Sequence, residues 1–425
     1  MAQIKTKAIT DDAVGLAQMA VGTDGNIISY DASTNPIAIA TGSDGQVLTS
    51  TGAGSPPAFE ALPASSGTAN FRPNVNPIII NGNMAVAQRS TSVASITDVG
   101  YYTCDRIYYY INGGGTVTIT QGTDVPTGKG FFNSYDVDVT TADGSLGAAD
   151  YAMIEYRIEG QDLQLLKKGT SSAEDITISF WVKATKTGTH ILEIYDNDNT
   201  RHISKSYTID SSNTWEQKII NVAGDTSGTM GNDNAYSLGL IFYLRAGSNF
   251  ASGTLASSWA SVTTANRAVG QVDTMDSASN DFIITGLQME VGTYTLATMP
   301  PFQHESYGDN LSRCHRYFEH RGYTAANQQV CLGQTISTTR VTAPLFYSVK
   351  RSAPTITMGA AMCGNQHNGV AGAVTTKSVA QTGLDTSRFD VTHNASGANF
   401  AITQGAAYVQ MDNSIIDGLK FDSEL

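Results

Sequence analysis

Charge is scarce in this chain, and positive charge more so. Only 15% of residues are charged, with 25 Lys and Arg against 38 Asp and Glu, leaving a net charge of −13. An average globular protein carries about 25%. A surface this acidic repels phosphate backbones, which argues against nucleic acid as a partner. Cysteine is also sparse. Cys104, Cys314, Cys331 and Cys363 are widely scattered and form no C-x-x-C pair, so neither a disulfide framework nor a zinc site is expected. Free, mostly buried thiols are the expected state. No stretch reaches the ~18 apolar residues of a membrane span, and Met1 to Lys7 lack the apolar core of a signal peptide. The expectation is synthesis in a reducing cytosol without membrane insertion, any extracellular role coming through assembly into a particle.

Catalytic and cofactor signatures are missing as well. There is no G-x-S-x-G elbow. The stretch from Gly122 to Lys129 has one residue too many between its glycines for a phosphate loop and continues into Gly130 rather than Ser or Thr. Asp196-Asn-Asp-Asn199 offers oxygens to calcium but lacks the sixth-position Gly and twelfth-position Glu of an EF-hand loop, so a hairpin turn is expected. No cofactor and no resident metal are expected.

What fills the chain instead is 41% hydrophobic residues, 41 glycines and much Ser, Thr and Asn. That composition favours short strands and tight turns, so the fold is expected to be mostly β. Ile154, Tyr156 and Ile158 alternate, as do Leu238, Leu240, Phe242 and Leu244. In Ile176 to Val182 the even positions are apolar and inward, which leaves Trp181 on the other face with Thr177 and Ser179. Ser206 to Asp210 and Trp215 to Ile220 flank a turn at residues 211–214, and Asp162 to Lys168 hints at a helical turn. Many short strands broken by Gly, Asn and Asp indicate a sandwich of two antiparallel sheets. Near its end, Ile283, Thr285, Leu287, Met289 and Val291 share one face of a half-buried strand, with Gln288 and Glu290 opposite. Pro300 and Pro301 stop it. A short helix follows, with Leu311, Cys314, Tyr317 and Phe318 at helical spacing and Asp309 placed to cap it. Residues 322–425 give a further β reading.

The first 70 residues differ. Ile9, Ala13, Leu16 and Ala20 form a short apolar seam suited to helix packing. Then Gly22 to Ser29 repeats as Gly42 to Thr49, each copy carrying an Asp-Gly turn and then Ile27-Ile28 or Val47-Leu48. Stacked repeats usually need about three copies to be stable. Ile27, Ile28, Ile39, Val47, Leu48 and Phe59 therefore need other chains to cover them. Pro63 to Gly67 is a plausible linker.

Several of these stretches resemble one family. Ile284-Thr-Gly-Leu-Gln288 with Glu290 and Gly292 is similar to the "ITGLQ-E-G" strand that ends a jelly roll in bacteriophage tail-fibre and other virion appendage proteins. Tyr307-Gly308 through Cys314-His-Arg-Tyr-Phe318 resembles the "YG-EL--CQRYY" helix that follows it there. Asn76 to Ser92, with Gln88-Arg89, resembles the jelly roll's opening, and Asp105-Arg106 its "DRW" element, with Ile107 in place of Trp and Met84 in place of Phe. The N-terminal repeats resemble the "GTDGNLI-YDASGNP" modules of phage fibres, and Phe421 to Leu425 their acidic "DAEL" end. The resemblance implies three segments: 1–70 anchoring and trimerising, 71–321 a jelly roll ending in a short helix, and 322–425 a distal β domain. It implies a virion structural protein: a homotrimeric tail fibre that joins other virion proteins and binds a glycan or protein on the bacterial surface. Ile9, Leu16, Ile27, Ile28, Val47, Leu48 and Phe59 would be the anchoring and trimer contacts. A head, neck or baseplate position is an alternative address.

Candidate site residues follow from chemistry. Trp181, Tyr195 and Trp259 could stack on sugar rings, with Trp181 foremost because its strand neighbours on that face are polar; ordinary core or subunit contact is the competing use of all three and of Trp215. Glu155 and Glu159, with Asp162 nearby, raise the alternative of a capsular polysaccharide depolymerase, although structural use is the expected one. Arg313, His315, Arg316, His320 and Arg321 form the densest basic cluster, read as a solvated face with helix-end charges.

Overall fold

The computed structural model describes residues 25–30, 32–33, 36–61, 76–321, 329–337, 340–358, 362–366, 371–393, 406–411 and 418–425. The chain divides into two compact units, residues 1–73 and 74–425. The expected apolar seam at Ile9 and Leu16 lies outside the described residues.

The first unit holds two antiparallel hairpins, β1 (Ile27–Tyr30) with β2 (Pro36–Ile39), and β3 (Gln46–Thr49) with β4 (Ala58–Ala61). The repeated Asp-Gly turns are visible in the backbone: Gly25 and Gly45 take φ of +82° and +84°, a conformation open to glycine. The repeat's apolar residues are uncovered within the chain, with Ile27 38%, Ile28 57%, Val47 37% and Leu48 44% exposed. Phe59 is half-buried.

The second unit is dominated by a sandwich of two antiparallel sheets. Its strands in chain order are β5 (Ser92–Ile96), β6 (Gly100–Tyr101), β7 (Ile107–Asn112), β8 (Thr116–Gly122), β9 (Ser134–Thr141), β10 (Tyr151–Glu159), β11 (Ile176–Ala184), β12 (Gly188–Asp196), β13 (Arg201–Ile209), β14 (Glu216–Val222), β15 (Tyr236–Ala246), β16 (Ala260–Ser261) and β17 (Asp281–Val291). Seven pair in the order β16-β13-β12-β15-β10-β7-β6 and six in the order β14-β11-β17-β9-β8-β5. The expected alternation holds in β10, β11 and β15. Ile154, Tyr156, Ile178, Phe180, Leu240 and Phe242 meet in one buried core, and Met84 and Ile107 help to fill it. The residues flanking the turn at 211–214 do not form a hairpin, because β13 and β14 belong to different sheets.

Strand β17 corrects one expectation. Phe282 and Ile284 point into the core, and so do Leu287 and Met289. The phase flips at Gly286, whose φ is +64°, where the register with β11 slips between Ser179 and Trp181. This is a β-bulge, one extra residue that re-aims everything after it. Ile283 and Thr285 therefore face away from Leu287, yet both are buried, so the strand is covered on both sides. The helix spans Tyr307–His315, and Ser306 rather than Asp309 caps it: the Ser306 hydroxyl accepts from the Asp309 amide at 3.1 Å. Asp309 instead accepts from that hydroxyl, closing the reciprocal cap. Phe318 lies beyond the helix and begins β18 (Phe318–Arg321).

Within residues 322–425 a closed barrel runs β19 (Gln329–Ser337), β20 (Arg340–Phe346), β24 (Thr386–His393), β23 (Ala371–Thr382), β22 (Met362–Gln366) and β25 (Ala406–Met411). A three-stranded sheet places β26 (Leu419–Asp422) between β18 and β21 (Thr355–Met358).

Residues 81–89, 105–106, 317–318 and 422–424 converge where this small sheet meets the sandwich. Asn81 bonds to Val86 and to the carbonyl of Asp105, and the Gln88 amide nitrogen of the side chain donates to the Asp105 carboxylate and to the Phe318 carbonyl. The buried Arg106 guanidinium sits 3.4 Å over the Tyr317 ring and pairs with Glu424. Arg89 lies 3.6 Å over Phe318 and pairs with Asp422 at 3.3 Å and Glu424 at 3.4 Å. These residues build a joint.

Candidate carbohydrate-binding face

The outer face of the six-stranded sheet gathers the most site-like chemistry among the residues singled out from sequence. Inward Phe180 and Val182 fix β11, so Trp181 must point outward, where it is half-buried. It sits opposite Gln217 on one neighbouring strand and Thr285 on the other. Gln217 donates to Ser179 Oγ at 3.2 Å, so the polar floor beside the ring is already organised. Lys129, on the loop between β8 and β9, places its ammonium 5.4 Å from the Trp181 ring centroid, within cation–π range.

Two residues further along the strand, Lys183 Nζ donates to Asp124 Oδ2 at 2.5 Å, and Trp215 Nε1 donates to Asp124 Oδ1 at 2.9 Å. Burial pushes the Asp124 carboxyl up, but the bonds from Lys183 and Trp215 outweigh this and hold it below the usual range. Trp215 thus joins the Trp181 face. Beside it, Asp136 is pushed up to about 7 by burial and by the carboxylates of Asp281, Asp138 and Asp124. The face can offer an aromatic plane, cations and fixed hydrogen-bonding groups to a sugar.

Trp181, Tyr195 and Trp259 do not form one site. Tyr195 packs on the outer side of the seven-stranded sheet, with the Arg267 guanidinium 5.5 Å over its ring. Trp259 packs against the main core at the edge of that sheet, and its indole donates to the Ala223 carbonyl at 2.7 Å. Of the three, only Trp181 lies on the outer side of the six-stranded sheet, half-buried beside the buried polar side chains of Ser179 and Thr285. Trp215 carries the sequence signal of an ordinary strand-start aromatic, and its partner Asp124 is 91 residues away.

The carboxylates considered for glycosidase chemistry are engaged elsewhere. Glu155 accepts from Arg157 Nε at 2.7 Å and from the Tyr236 hydroxyl at 2.6 Å, and Glu159 is held by Arg316 at 2.7–2.9 Å. Both side chains are buried, at 4% and 0% exposure. The basic cluster is not a solvated face: Arg313 pairs with Glu305, Arg316 with Glu159 and Arg321 with Glu319, while His320 bonds the Gln88 carbonyl. Asp196 begins the expected hairpin turn but is itself buried on Lys168. Among the described residues no group of three or more His, Cys, Asp or Glu is arranged to hold a metal ion.

No family model and no curated protein matches the sequence. Solved structures match about half of the chain at low similarity. A family 4 carbohydrate-binding module is 10% identical with a TM-score of 0.26, covering 50% of this chain and 97% of its own. A family 11 carbohydrate-binding module from Clostridium thermocellum, in complex with a β-1,3-1,4-mixed-linked tetrasaccharide, is 15% identical with a TM-score of 0.24, covering 48% and 95%. The enzymatically active domain of bacteriophage CBA120 tailspike protein 4 is 16% identical with a TM-score of 0.27, and the match spans 51% of this chain but only 21% of the tailspike chain.

Proposed function

We propose that this chain is a structural protein of a bacteriophage virion: a homotrimeric tail fibre or related appendage that binds the bacterial surface without a catalytic step. The observation that carries the binding role is the Trp181 face, where a half-buried indole lies beside Lys129 and the Lys183–Asp124–Trp215 group. Sugar rings stack on such planes, and the surrounding donors and acceptors set orientation. Each site would be weak, and three chains per fibre would supply avidity.

The anchoring and trimer role is supported by the first unit. An isolated two-stranded hairpin is marginal in water, and both hairpins expose Ile27, Ile28, Val47 and Leu48. Residues 1–70 would dock to other virion proteins. The buried ion pairs of Glu155 and Glu159 favour structural use over general acid–base work, since neither is a free carboxyl facing solvent.

The test is retardation of the purified protein in gels containing host capsular polysaccharide or lipopolysaccharide. Trp181→Ala should abolish the retardation and leave the unfolding midpoint unchanged. Wild-type protein that runs unretarded, or a Trp181→Ala variant that still binds, would remove this site. Loss of polymer viscosity, abolished by Glu155→Gln, would replace the proposal with a depolymerase.

A further inference from the structure

We infer that the ammonium of Lys168 stands in for a hard metal ion: it occupies a cage of oxygens that takes calcium once the lysine is shortened. The inference goes beyond the proposed function and does not depend on glycan binding. It also gives a use to the Asp196–Asn199 stretch, which resembles a calcium loop in sequence but departs from the EF-hand pattern.

Lys168 follows the helical turn at Gly160–Leu166, and its side chain is 5% exposed. Its three protons go to Asp196 Oδ2 at 2.5 Å and to the Ser227 and Gly228 carbonyls, each at 2.9 Å. Asp225 Oδ2 adds a fourth oxygen at 3.1 Å. Two carboxylate and two carbonyl oxygens around one point are the hard donor set that calcium prefers, with water completing its shell. Calcium–oxygen distances of about 2.3–2.6 Å call for a contraction of roughly 0.5 Å.

The cage is held by groups other than Lys168. The Asn199 side chain donates to both Asp196 oxygens, at 3.2 and 3.0 Å, and to the Thr229 carbonyl at 3.0 Å. Arg201 donates to both oxygens of Asp225, at 2.8 and 3.0 Å, and the Ser227 amide donates to Oδ1 at 3.0 Å. Gly228 takes a φ of +73°, and a Cβ there would lie 2.6 Å from Asn199 Cγ. Glycine therefore lets the loop between β14 and β15 close on the turn after β12. The Trp259 ring stands 5.3 Å from the ammonium.

Charge decides what the cage holds. Lys168 and Arg201 balance Asp196 and Asp225. Without the lysine, Asp196, whose side chain is 0% exposed, is left as a buried carboxylate with no cation, a costly state that an ion from solution relieves. In the natural chain the three segments meeting here are pinned by a cation that no chelator removes.

The experiment compares the full chain with Lys168→Ala, each stripped with EDTA and then titrated with calcium or terbium. The wild-type unfolding midpoint should be the same in EDTA and in calcium. Lys168→Ala should unfold earlier in EDTA and regain about 2–4 °C in about 10 mM calcium, for a dissociation constant of roughly 0.1–1 mM. It should also gain tryptophan-sensitised terbium emission over wild type, because Trp259 faces the cage, and Trp259→Phe should remove that gain. Adding Asp196→Asn to Lys168→Ala should abolish both responses. A Lys168→Ala chain that folds only with calcium present supports the inference. One that fails to fold even then, or that ignores both ions, overturns it. So does a wild-type midpoint that calcium raises as much as the variant's.

Discussion

Glu424→Ala should be among the most damaging single changes in the second unit. The Arg106 guanidinium is 1% exposed and its partner carboxylate 4%. Removing one member of a buried ion pair typically costs about 3–5 kcal/mol, because the other charge is left without compensation. Here Arg106 keeps a 2.6 Å bond to the Arg157 carbonyl and its stack on Tyr317, and Arg89 keeps Asp422. The lower end, about 3 kcal/mol, is therefore expected. For a unit of this size that is a fall of roughly 4 °C in the unfolding midpoint, readable by calorimetry. The pair Arg106→Met with Glu424→Leu should recover at least half of the loss, because two apolar side chains leave no charge stranded. A single variant within about 0.5 kcal/mol of wild type would refute the reasoning. So would a double variant that merely sums the two single losses.

Gly286→Ala should destabilise by on the order of 1–3 kcal/mol, since φ there is +64° and the new Cβ would lie 2.6 Å from Phe131 Cζ; an unchanged urea midpoint would count against the bulge. Asp136 predicts a pH effect. Its folded value is raised to about 7 from 3.8, so the folded state holds the proton more tightly. This group's stabilising contribution is full below the unfolded value and is lost as pH rises towards 7. Asp136→Asn should flatten denaturation midpoints measured between pH 4 and about 7, and an equal slope in variant and wild type would contradict it. Deleting residues 1–70 should leave a folded, β-rich protein that no longer enters particles; normal copy number in purified virions would move the anchor elsewhere.

The sandwich was legible because one rule, alternation against a shared core, governs Ile154, Phe180 and Leu240 alike. It failed at Ile283 to Val291 because a bulge inverts the phase, and Gly286 looks in sequence like any strand glycine. Ser306 was passed over as a cap because Asp309 occupies the reciprocal position of the same motif. The turn at 211–214 shows in sequence that two strands follow one another, but not that each joins a different sheet. Trp181 could be recognised from its polar neighbours at 177 and 179. Its surroundings could not, because Asp124 and Lys129 arrive from a distant loop.

The strand order of the six-stranded sheet bears on how the protein is made. β11 and β9 do not touch; β17 lies between them and pairs with both. Until residues 281–291 exist, the sheet is two fragments with facing open edges. At about 5–20 residues per second, a ribosome that has finished β11 needs roughly 5–20 s more to deliver that strand. Through that interval the nascent chain holds two unpaired edges that another chain could fill. Folding should then gain from chaperones that hold neighbouring nascent chains apart. A synthetic peptide spanning residues 281–291 should insert into a chain lacking that strand, as a keystone supplied from outside.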